Sequence, residues 1–177
     1  MWATVAVGLT GLHLASPPMT CPPTHPADLD LLRQHAPAVQ LWMSPIGYLQ
    51  GRAVHPHFLY TKPGDDRVHR IEVWQSARGP HDHLFVDRIE PQVSQGRGSC
   101  LVGERTGHDA LAVIDVLEAA PEQYTWTDTY LPVPGPNSNT FAATVLDVAG
   151  WDLQLPMHAV GQSFGWPFSA GWTAPEG

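Results

Sequence analysis

The chain of 177 residues predicts an α+β domain, an antiparallel sheet packed with two or three helices. Three observations point there. β-prone runs fill the first part of the chain, two of them flanking the turn signal "TKPGDD". After Gly107 the apolar residues change from alternating to helical spacing. Strands therefore come first and helices late, the order expected when the two are segregated rather than interleaved.

Taken in order, "SPPMTCPPTHP" at 16–26 is too rich in proline to pair inside a sheet and reads as a linker. The expected organisation is an N-terminal tail or export signal plus this linker over 1–26, one globular domain over 27–170, and a C-terminal tail over 171–177. "ADLDLLRQH" predicts a short helix, with Leu29, Leu32 and Arg33 on one face and Pro37 as its stop. "AVQLWM" predicts a strand. "AVHPHFLY" and "RVHRIEVWQS" predict a hairpin, since Pro63 presets φ and Gly64 accepts a positive φ in the turn between them. A turn centred near Gly64 and Asp65 pairs positions whose numbers sum to about 129, placing His57 opposite Glu72 and His55 opposite Trp74. His55, His57, Glu72 and Trp74 then share one face.

"HDHLFVDRI" predicts a further strand and "SQGRGS" a loop. Ala110, Leu111, Ile114, Leu117 and Glu118, with Val113 and Ala120, give an amphipathic helix from about 108 to 120, ended by Pro121. "FAATVLDVA" repeats the helical signal, with Gly150 as its C-terminal stop.

Composition narrows the function. The formal charge of −8 and the scattering of nine basic residues, Lys62 the only lysine, oppose binding to a nucleic-acid backbone. Cys21 and Cys100 form no Cys-x-x-Cys pair; one bridge or two inert thiols both remain open. Residues 1–16 are apolar but lack a basic start and are shorter than the ~20 residues of a membrane span, leaving an export signal, an anchor, a frayed tail and an N-terminal strand as readings. "HPH" and "HDH" set imidazoles in pairs, without further ligand-spaced residues, so no metal and no other cofactor is expected.

"PGPNSNTF" at 134–141 is the stretch that most resembles a site. Pro136 pushes Gly135 out of the α region, so a helix must begin at 137–139, with Asn137 or Ser138 as its cap. A helix N-terminus offers free N–H donors and partial positive charge. Ser138 there is a candidate nucleophile if a histidine can take its proton.

With these residues in hand, the chain resembles the bacterial family called domain of unknown function 3750. The resemblance rests on "AVHPHFLY", "RIEVW", "YTWTDTYLPVPGPNSNTF" and "LQLPMHAVGQ" and covers about residues 38–166. Val133 and Gln162 stand where that family commonly has Trp and Lys. A remoter similarity, a His-bearing strand, then an acidic or polar strand, then a helix opening on Asn-Cys-Asn-x-Phe, is to circularly permuted papain-like (NlpC/P60-like) hydrolases. That similarity implies a permuted papain-like fold with His55 as base, Glu72 as its orienting partner and Ser138 in the nucleophilic Cys position. Asn137 and Asn139 would flank the nucleophile, and N–H groups of 138–140 would bind the oxyanion; beside the similarity, the residues themselves offer Asn137, Asn139, Thr140, His57 and Tyr130 as substrate contacts and Asp128 as a candidate for orienting the loop. The implied function is hydrolysis of an amide or ester bond in a small-molecule or peptide substrate. The alternative is an inactive papain-like domain that binds a peptide, glycan-peptide or lipid.

Overall fold

The computed structural model describes residues 17–22, 27–75, 83–91, 98–165 and 172. Five strands form one sheet: β1 (Ala38–Pro45), β2 (Val54–Thr61), β3 (His69–Val73), β4 (Leu84–Val86) and β5 (Cys100–Thr106). Their spatial order is β4-β3-β2-β1-β5, every neighbouring pair antiparallel. Helix α1 (Ala27–Gln34) precedes the sheet, while α2 (His108–Gln123) and α3 (Ser138–Val148) follow it. The α+β expectation is met.

The hairpin register agrees with the turn-based expectation: Phe58 pairs with Ile71, Leu59 with Arg70 and Tyr60 with His69. At the turn, Gly64 takes a φ of +75°. Hydrogen bonds from Arg67 hold the half-buried Asp65 carboxyl well below the usual carboxylate range.

Alternation along the strands divides the apolar residues between two faces. Val39, Leu41, Met43, Val54, Phe58, Tyr60, Ile71 and Val73 form the main core with Ile114 and Leu117 of α2 and Phe141 and Val145 of α3. Phe141 meets Phe58 edge-on at 6.1 Å. On the opposite face, Ala38, Trp42 and Leu59 pack with Leu32 of α1 and with Val68. Arg33 does not join Leu32 on the packed face; it is exposed and paired with Asp30 at 2.9 Å.

One feature differs from the expectation, and others fill in what it left open. Helix α2 runs through Pro121 to Gln123, because a proline in the last turn removes one helical N–H near the end, where Tyr124 N–H still closes on Ala120 O. Strand β5 pairs with β1 through a shift between Leu41 and Trp42. Gly103 admits a crossing segment there, since a Cβ would meet Leu153 Cδ2 at 2.6 Å. Of the two readings left open for Cys21 and Cys100, the structure has the bridge, a disulfide between them. Trp172, within the stretch expected as a tail, is buried against Tyr124 with ring centroids 5.7 Å apart. Among the described residues no helix is long and apolar enough to cross a membrane.

Candidate active site

Two structures meet at one end of the sheet: the start of β2 and the first turn of α3. The α3 turn is locked in place by its own polar side chains. Asn137 is the N-cap, its Oδ1 accepting from the N–H of Asn139 at 2.9 Å and of Thr140 at 3.2 Å. Thr140 Oγ1 returns the capping box by accepting from Asn137 N–H at 3.2 Å, and donates to Gly161 O at 2.8 Å. Asn137 Nδ2 donates to Pro132 O at 3.0 Å and Val160 O at 3.1 Å. Only glycine fits at 161, where φ is +92° and a Cβ would lie 2.4 Å from Asn137 Nδ2. The unusual "PGPNSNTF" is thus a knot between the 132–137 loop, the 160–161 turn and the helix.

The same knot reaches β2. Asn139 Nδ2 donates to Val54 O at 3.2 Å and to Val160 O at 3.0 Å. Val54 N–H donates to His158 O at 3.2 Å. In an antiparallel ladder, alternate residues direct both N–H and C=O to the same neighbour. Phe58 and Tyr60 direct theirs to β3, so Val54 points the same way, and Asn139 and His158 stand where β3 would be. The α3 turn therefore occupies the opening at which β2 and β3 part.

His55 follows Val54 directly. Its Nε2 lies 2.7 Å from Glu72 Oε2, and its ring packs on Trp74 at 4.5 Å between centroids. An ionised carboxylate only accepts, so Nε2 carries the hydrogen and a neutral His55 presents a lone pair at Nδ1. Glu72 also accepts from Arg70, Nε to Oε1 at 2.6 Å and Nη2 to Oε2 at 2.9 Å. Arg70 and Glu72 are each 1% exposed. Burial by itself raises the Glu72 carboxyl, but the hydrogen bonds from His55 and Arg70 outweigh it and bring the pKa down to about 2.

Ser138 is the first residue of α3 and is 3% exposed. Its neighbour is the Tyr130 phenol, whose pKa burial raises against an opposing hydrogen bond with Ser138. Tyr130 in turn lies 5.6 Å from the ring of His83, whose Nδ1 hydrogen-bonds Trp74 O at 2.7 Å. The chain positions beside the two candidates touch, Asn139 to Val54, but no hydrogen bond joins Ser138 to His55 in this structure.

The expected site residues thus sort by what they hold. His55 and Glu72 are brought together, as a diagonal rather than a directly opposed pair. His57 is buried across from Trp42 in the sheet. The side chains of Asn137, Asn139 and Thr140 are buried and hold backbone carbonyls and N–H groups. The expected oxyanion contribution from 139 and 140 is corrected: both N–H groups already donate to Asn137. Asp128 is exposed and accepts from Thr129 Oγ1. Sequence reasoning missed Arg70, although Arg-x-Glu on one strand face was a readable signal, and His83, whose neighbourhood depends on the loop at 124–131. The "HDH" pair lies partly outside the described residues. Among those described, no group of three or more His, Cys, Asp or Glu is placed to hold a metal ion.

No curated protein and no solved structure matches this chain. The sequence profile of a family described as "Protein of unknown function (DUF3750)" matches residues 36–164. That match takes in the whole sheet, α2, α3 and the 156–161 loop, and the chain belongs to the DUF3750 family.

Proposed function

We propose that this protein hydrolyses amide or ester bonds on a permuted papain-like fold, with Ser138 as nucleophile, His55 as base and Glu72 as the residue that orients the base. The observation that carries the reading is the 2.7 Å His55–Glu72 contact, which fixes the imidazole with Nδ1 open, one residue from the carbonyl that the α3 turn grips. In the reaction, Ser138 Oγ bonds to the substrate carbonyl carbon while its proton passes to His55 Nδ1. His55 then gives that proton to the departing amine or alcohol, and water cleaves the acyl-serine by the reverse route. With Asn139 and Thr140 N–H engaged, the oxyanion would rest on Ser138 N–H and the Tyr130 hydroxyl. Ser138 is 3% exposed, so on this reading substrate would need the loop that precedes α3, with its exposed Leu131 and Val133, to be displaced.

A serine-reactive fluorophosphonate tests this. Wild type is expected to label, and Ser138→Ala and His55→Ala are not. Wild type that stays unlabelled while folded defeats the proposal. The burial of Ser138 and the engaged N–H groups favour a second reading, a domain with no turnover that binds a peptide, glycan-peptide or lipid. Persistent absence of labelling would support it.

A further inference from the structure

We infer that Cys21 and Cys100 are an oxidative modification site whose disulfide clamps residues 17–22 as a brace on the two loops that position the start of β2. Four contacts along six residues carry this. Pro17 O accepts from His158 Nε2 at 2.8 Å, and His158 O is the acceptor for Val54 N–H, so the brace is two contacts from Val54, the residue before His55. Met19 N–H donates to Gly51 O at 3.0 Å, and its side chain packs on the main core. Cys21 is bonded to Cys100 at the start of β5. Pro22 lies over Gly98.

The seat is built to take this segment. At Gly51, φ is +75° and a Cβ would lie 2.7 Å from Met19 O; at Gly98, φ is +81° and a Cβ would lie 2.8 Å from Pro22 O. Both glycines accept a conformation that other residues resist, and both leave room for the backbone of 17–22. A proline-rich segment has few hydrogen-bond donors and cannot join the sheet as a strand interior. A covalent bond is what keeps it seated on so few contacts. Gly51 ends the turn that leads through Arg52 and Ala53 into Val54, so the brace touches the chain on both sides of that residue's backbone bonds.

Formation of the bond removes two protons and two electrons from the paired thiols. A thiol–disulfide oxidoreductase in its disulfide form takes them, leaves as the dithiol, and no other co-reactant is needed. The modification therefore belongs to an oxidising compartment. It is independent of whether Ser138 is catalytic.

The test uses the full chain purified without reductant. Peptide mapping is expected to find residues 21 and 100 linked. Hydrogen exchange is then compared between oxidised protein, the same protein reduced with a phosphine, and Cys21→Ser. Exchange at 46–54 and 156–161 is expected to rise at least about ten-fold on reduction, while amides of β1 and β3 change less than about two-fold. Free thiols at both positions in protein made in an oxidising compartment would overturn the inference. Unchanged exchange in the two loops would overturn it too, as would a uniform rise across the sheet, which would make the bond a support of the whole fold. Should Cys21→Ser fail to fold, the reduced wild type decides alone.

Discussion

Replacing Glu72 by Ala removes the acceptor for three hydrogen bonds: from Arg70 Nε at 2.6 Å, from Arg70 Nη2 at 2.9 Å and from His55 at 2.7 Å. Arg70 stays behind with its guanidinium 1% exposed, so water cannot replace the lost carboxylate without opening the sheet. Breaking a buried pair from one side costs about 3–5 kcal/mol, most of it the uncompensated charge. For a domain of this length that is a fall in Tm of roughly 6–20 °C. Thermal unfolding followed by circular dichroism, with urea midpoints as a second measure, reads the loss directly. Arg70→Met with Glu72→Leu removes both charges and is expected to recover part of the loss, but not all, because His55 is still left without its acceptor. A loss below about 1 kcal/mol for Glu72→Ala would refute the reasoning, since it would mean the buried carboxylate does not compensate Arg70.

Two further outcomes follow from the same geometry. The folded Glu72 carboxyl sits at about 2 against an ordinary value of 4.5, so its stabilisation is fully present above pH 4.5 and is lost as pH falls from there toward 2. That term amounts to about 3 kcal/mol, and unfolding free energies measured between pH 5 and 2 are expected to lose it in wild type but not in Glu72→Gln. At the α3 knot, Asn137→Ala removes the N-cap acceptor of two N–H groups and the Nδ2 donor to Pro132 O and Val160 O, for an expected loss of about 2–4 kcal/mol in urea unfolding.

How much could be read in advance depended on whether the signal was local. The β2–β3 register was legible because a short turn at Gly64 fixes which residues face each other, and the α3 start was legible because Pro136 and Asn137 act on their immediate neighbours. Strand β5 carried no comparable signal: "CLVGERT" has a central glycine and a half-exposed pattern, and its partner β1 lies some sixty residues earlier. The disulfide joins positions 79 apart, a separation no spacing rule reads. At the site, the His55–Glu72 pairing followed from shared strand faces. The part played by Asn139 did not, because it depends on β2 and β3 parting and on a side chain reaching across 85 positions to Val54 O. Residue type suggested that Asn137, Asn139 and Thr140 would contact a ligand; their burial gives them to the backbone instead.

Whether His55 can act on the residue that opens α3 is tested most directly by Ser138→Cys. Both native cysteines are held in the disulfide, so the new thiol is the only one free to alkylate. Its rate of reaction with iodoacetamide, measured against pH, is expected to follow a thiol pKa at least about one unit below the ordinary ~8.5, and to rise in the His55→Ala background, where only the helix N-terminus still favours the thiolate. An ordinary thiol profile that is the same with and without His55 would contradict the account.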